Sequence, residues 1–180
     1  MGKLRVGRLI LWLIAGGVIG LTLLQLSNAV GGSSEHQNGH DAAQLLFQVS
    51  EFQMELLAGT AADAGKAKQT DQLNALKQMA YSANFTHERL VAAVGGDRIA
   101  AFASIQQLLQ YIIRLQIGGD RPLKQDEMQT LDAAGKLYKQ INDDYGKLFN
   151  SAGSVISSQN DKLKKSDKAI VETLKGGQSH

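Results

Sequence analysis

The chain contains no cysteine, which excludes a disulfide framework, a thiolate metal site, a thiol nucleophile and a lipid attached through cysteine. It has one proline, Pro122, and no strand-like alternation of apolar and polar residues. A basic binding face is missing too. Net charge is +2, and Lys3, Arg5 and Arg8 supply three positive charges, so the other residues hold 16 basic against 17 acidic side chains. Nucleic-acid binding therefore has no electrostatic support. No nucleophile elbow, phosphate loop, HExxH or EF-hand pattern occurs, so the sequence predicts no enzyme, no catalytic residue, no cofactor and no resident metal.

What is present begins with an uncharged run from Leu9 to Val30. As a helix it would be about 33 Å long, enough for a bilayer core of about 30 Å. With Arg5 and Arg8 before it and Trp12 near its inner end, it reads as a membrane anchor. The positive-inside rule then leaves the N-terminus cytoplasmic. Gly16 and Gly20, four apart, can let two such helices pack as a homodimer. A cleaved signal peptide is the alternative, with Ser27-Asn28-Ala29 as its processing site. Either way residues 41–175 are expected outside the cytoplasm.

Residues 31–40, GGSSEHQNGH, read as a linker, and 176–180 as a tail. Between them the period is helical throughout. The first segment, about Asp41 to Ala64, repeats Leu45, Val49, Phe52 and Leu56 as its apparent core stripe. The second, Asp71 to Val94, uses Leu73, Leu76, Ala80, Ala83, Leu90 and Val94. The third, from an Asp97 N-cap to Ile117, uses Ile99, Phe102, Ile105, Leu109 and Ile112, widened by Leu108, Ile113 and Leu115. A fourth should start near Lys124 with Glu127 at its third position, then follow Leu131, Ala134, Tyr138, Ile141, Tyr145 and Leu148. A last basic segment carries Leu163, Ile170 and Leu174. Short loops make neighbours antiparallel. The expected fold is all-α: one N-terminal transmembrane helix followed by an antiparallel bundle of four or five helices.

His87 stands on the apolar seam of the second segment, as a core polar position or a switch. His36 and His40 share helical spacing but fall in the expected linker. Asp126-Glu127 and Asp143-Asp144 are adjacent acids that a helix would point about 100° apart. Asn84-Phe85-Thr86 matches a glycosylation sequon within a helix. Tyr81, Tyr111, Tyr138 and Tyr145 either line a ligand groove or pack between helices.

The stretch RPLKQDEMQTLDAAGKLYKQINDDYGKL, residues 121–148, resembles the membrane-proximal helical region of the spore germination protein YpeB family. That resemblance implies an accessory protein of spore-forming bacteria that supports a cortex-lytic enzyme, although the family's C-terminal PepSY modules have no counterpart here. The expectation from sequence is a non-enzymatic, single-pass cell-membrane or spore-membrane protein. Its partners would be the membrane and another extracytoplasmic protein such as a wall or cortex hydrolase. A sensory small-ligand-binding ectodomain is the alternative.

Overall fold

A computed structural model of the chain describes residues 34–177, which form five α-helices: α1 Ser34–Ala64, α2 Asn74–Val94, α3 Ala103–Gln116, α4 Gln125–Tyr145 and α5 Ser157–Gly176. The chain divides into compact units at Ala42 and Ala43. Of the first unit only the helical backbone from Ser34 is described, and the bundle belongs to the second.

The helices alternate in direction. In α1, Ser50 meets Tyr145 at the end of α4, whereas Ala61 lies against Gly135 in its middle. Lys77 bonds Gln116 and Glu88 bonds Gln106, which sets α2 antiparallel to α3. Gly177 abuts Thr130, so α5 returns along α4, and it also packs on α3.

At one end a short 3-10 turn, Thr70–Leu73, leads into α2. The links on either side of α2 and α3 pair there. Thr70 N–H donates to the Arg121 carbonyl (3.0 Å) and Leu123 N–H to the Lys68 carbonyl (2.9 Å). Arg121 then grips Glu127 through both guanidinium nitrogens (2.7 and 2.9 Å). Glu127 also accepts from the Lys124 N–H (2.8 Å), the expected start of α4.

The core follows the predicted stripes of α2, α4 and α5 closely. Leu73, Leu76, Ala80, Ala83, Leu90, all six residues named for α4, and Leu163, Ile170 and Leu174 are buried. Two elements differ. Asp97 does not cap α3, which starts at Ala103. Its first amides are satisfied instead by Asp167 of α5, which accepts from Ser104 N–H (2.9 Å) and Ala103 N–H (3.3 Å). Helix α1 starts at Ser34 and turns its other face inward. Phe47, Met54, Leu57, Ala58 and Ala61 are buried, while Leu45, Val49, Phe52 and Leu56 are exposed. The inward face carries Phe47, Met54 and Leu57 and then the small residues Ala58, Ala61 and Ala64, where α1 and α4 approach backbone to backbone: a Cβ on Gly135 would collide with the Ala61 carbonyl. A leucine or phenylalanine at position 61 would not fit that gap.

The expected single-pass membrane topology is corrected. Among the described residues no helix is long and apolar enough to cross a membrane. Each of the five carries charged residues on its exposed side, whereas a lipid-spanning helix needs a nearly continuous apolar run. The span expected at residues 9–30, with Arg5, Arg8, Trp12, Gly16 and Gly20, lies outside the described residues. The cell-membrane location, the extracytoplasmic placement, the membrane as partner and a homodimer through Gly16 and Gly20 rested on that span and are withdrawn.

Candidate functional site

His87 lies in the core, 2% exposed, with its ring stacked on Phe102 at 4.1 Å. Both ring nitrogens are bonded. Nε2 faces the Ala100 carbonyl (2.8 Å), so Nε2 carries the proton. A neutral ring then accepts at Nδ1 from the Tyr145 hydroxyl (2.9 Å). The tyrosine oxygen in turn accepts from Ser50 (2.7 Å). One polar chain thus ties α1, α2, α4 and the link before α3, and both nitrogens of the His87 ring are occupied. His87 is a core polar position.

Burial pulls the His87 pKa below its ordinary 6.5, against the opposing pull of the Ala100 bond and the Asp167 and Glu88 carboxylates. The unfolded chain therefore binds the proton more readily than the fold. The contribution of neutral His87 is fully present above about pH 6.5 and is lost as pH falls from there through the lower folded value. The melting temperature should drop between pH 7.5 and 5 in the native chain and drop less in His87→Gln. Equal slopes in the two proteins would show that His87 does not drive the loss. Glu127 acts in a separate window. Its hydrogen bond to Arg121 lowers its pKa from 4.5, so its contribution persists above that value and is lost only below it.

The other candidates disperse. Tyr111, Tyr138 and Tyr145 are buried and Tyr81 is exposed, so the four do not line one groove. Asp144 is buried and Asp143 exposed; Glu127 is buried and Asp126 exposed. Asn84 and Thr86 sit on the helix and bond Glu88 and the Ser82 and Ala83 carbonyls. His36 and His40 fall in the helical backbone of α1, not in a linker. Among the described residues no three metal-ligating side chains come together. A cleft of about 410 Å³ lies between the end of α1 and the start of α2, floored by Ala64, Leu73 and Leu76. The charges at its rim, Asp63 and Lys66, pair with each other (2.7 Å).

The feature that sequence reasoning placed on the wrong side is the α1 stripe. Leu45, Val49, Phe52 and Leu56 are 62, 50, 55 and 36% exposed. They recur at 4-3-4 spacing, the seam that one helix offers another. Over three turns they form a ridge about 16 Å long on a helix whose opposite face is fixed in the core. The run of small residues Ala58, Ala61 and Ala64, matched by Ala134-Gly135, was the signal that the other face packs inward. A second exposed group, Tyr81 and Phe85 on α2, has Arg89 over the Phe85 ring at 4.9 Å.

Compared with protein-family models, curated proteins and solved structures, the chain matches none. The likeness of residues 121–148 to the germination family thus assigns nothing. Its 3-4 pattern is the one that any buried bundle helix requires, and here all six apolar positions are spent on the core. The sporulation and germination role, the cortex hydrolase as partner and the sensory ectodomain are accordingly withdrawn.

Proposed function

We propose that the chain is a non-enzymatic helix-docking module. The exposed α1 seam carries this reading. Bundle helices add to one another through 3-4 seams, as α4 does with Leu131, Ala134, Tyr138, Ile141 and Tyr145. On α1 the same pattern in large apolar side chains faces outward, and an amphipathic helix of another protein is the occupant whose side-chain repeat matches it. The buried His87–Tyr145–Ser50 chain supports the same reading, since its bonds hold α1 against the bundle and present the ridge at a fixed angle.

The test separates docking from stability. The paired substitution Leu45→Ser and Phe52→Ser should leave unfolding free energy within about 0.5 kcal/mol of the native chain, because both side chains are largely exposed. It should abolish binding of a labelled amphipathic peptide with an apolar 3-4 seam and glutamine flanks. The buried control Met54→Ala should cost about 2–5 kcal/mol. If the seam pair destabilises as much as that control, the ridge is part of the core and the docking reading fails.

A further inference from the structure

Resting on the docking reading above, we infer that the α1 seam takes a helix whose flanking positions are basic. The argument is one of charge. Between Ala43 and Ala64 the helix carries Glu51, Glu55 and Asp63 and no lysine or arginine. Glu55 is exposed and occupies the position flanking Phe52 and Leu56, and half-buried Glu51 lies one turn earlier on the same side. Asp63, seven residues beyond Leu56, continues the line of the seam. On the other flank, Leu46, Gln53 and Thr60 are uncharged and half-buried. A docked helix therefore meets an apolar ridge with acid along one side.

Asp63 is paired with Lys66 (2.7 Å), so the acid offered along the seam is that of Glu51 and Glu55. In α5, by contrast, Lys162, Lys164, Lys165, Lys168 and Lys175 outnumber Asp161, Asp167 and Glu172. Such segregation steers a basic ligand to α1 and away from α5. It also disfavours a second copy of this chain on the seam, because α1 against α1 sets glutamates beside glutamates.

The full chain is titrated with three labelled helical peptides that share one apolar 3-4 seam and differ only in their flanks, which are lysine, glutamine or glutamate. Affinity should fall in that order, with about a tenfold gap between lysine and glutamine flanks at low salt, closing as ionic strength rises. Glu51→Lys with Glu55→Lys should reverse the order without shifting the melting temperature. Equal binding of the three peptides overturns the charge inference and leaves the docking reading intact. Failure of all three overturns both. Sedimentation of the full chain as a dimer that Phe52→Ser dissolves and that excludes the peptides would assign the seam to a second copy and overturn the basic partner.

Discussion

Gly135→Ala destabilises the bundle by about 1–3 kcal/mol, although alanine is the better helix former by about 1 kcal/mol. The sign is set by what faces the new methyl. A Cβ at position 135 meets the Ala61 carbonyl oxygen, the Ala61 carbonyl carbon at 2.9 Å and the Ala62 Cα at 3.2 Å. All three are backbone or attached directly to it, so no rotamer change relieves the contact, and α1 must move away from α4 as a body. Such a shift also loosens the Ser50–Tyr145 bond about three turns away. Gly59, on the exposed side of α1, is the control: nothing lies within 4 Å of its Cβ position, and Gly59→Ala should stabilise by about 0.5–1 kcal/mol. Urea unfolding of the two variants should give opposite signs. A stabilised Gly135→Ala would mean that the two helices are not in backbone contact.

The same chemical change at two buried tyrosines should give different outcomes. Tyr145→Phe removes the hydroxyl that satisfies both His87 and Ser50 and should cost about 1–3 kcal/mol, the penalty for leaving buried polar groups without partners. Tyr138 is equally buried, but its hydroxyl and the neighbouring Ser104 hydroxyl form no well-aligned hydrogen bond. Tyr138→Phe should therefore be neutral or slightly stabilising. Both rings keep their packing, so the difference between the variants isolates the hydroxyl. Equal losses would show that the polar chain through His87 contributes nothing beyond ring burial. Burial raises the pKa of both tyrosines well above the ordinary 10, so neither ionises in the folded protein at neutral pH.

Local pattern was enough for the interior of α4. Glu127 caps the Lys124 N–H and six residues at 3-4 spacing fill the core, because that helix has only one apolar face to offer. The burial of His87 could be read from its seam position on α2, but its partners could not, since Tyr145 lies 58 residues away and Ala100 acts through its backbone. The start of α3 was misread for a similar reason. Asp97 has the composition of a cap, whereas the working carboxylate is Asp167 on another helix. Helix α1 is the instructive failure. It has two apolar faces, one of Leu45, Val49, Phe52 and Leu56 and one of Phe47, Met54, Leu57 and Ala61, and both repeat at helical spacing. The choice between them depends on how closely α4 approaches, which is a property of Gly135 and not of α1. The exposed seam became visible only once that approach was known.

The polar staples from α5 also bear on the order in which a growing chain can fold. Asn160 accepts from the Ala100 N–H and donates to the Arg98 carbonyl, while Asp167 receives the first amides of α3. A nascent chain that has emerged only as far as α4 lacks the Leu163, Ile170 and Leu174 stripe of the core and leaves these backbone groups open at the head of α3. Domains generally fold as units during synthesis. Here the head of α3 is completed only by side chains of α5, which makes that helix the latch of the bundle.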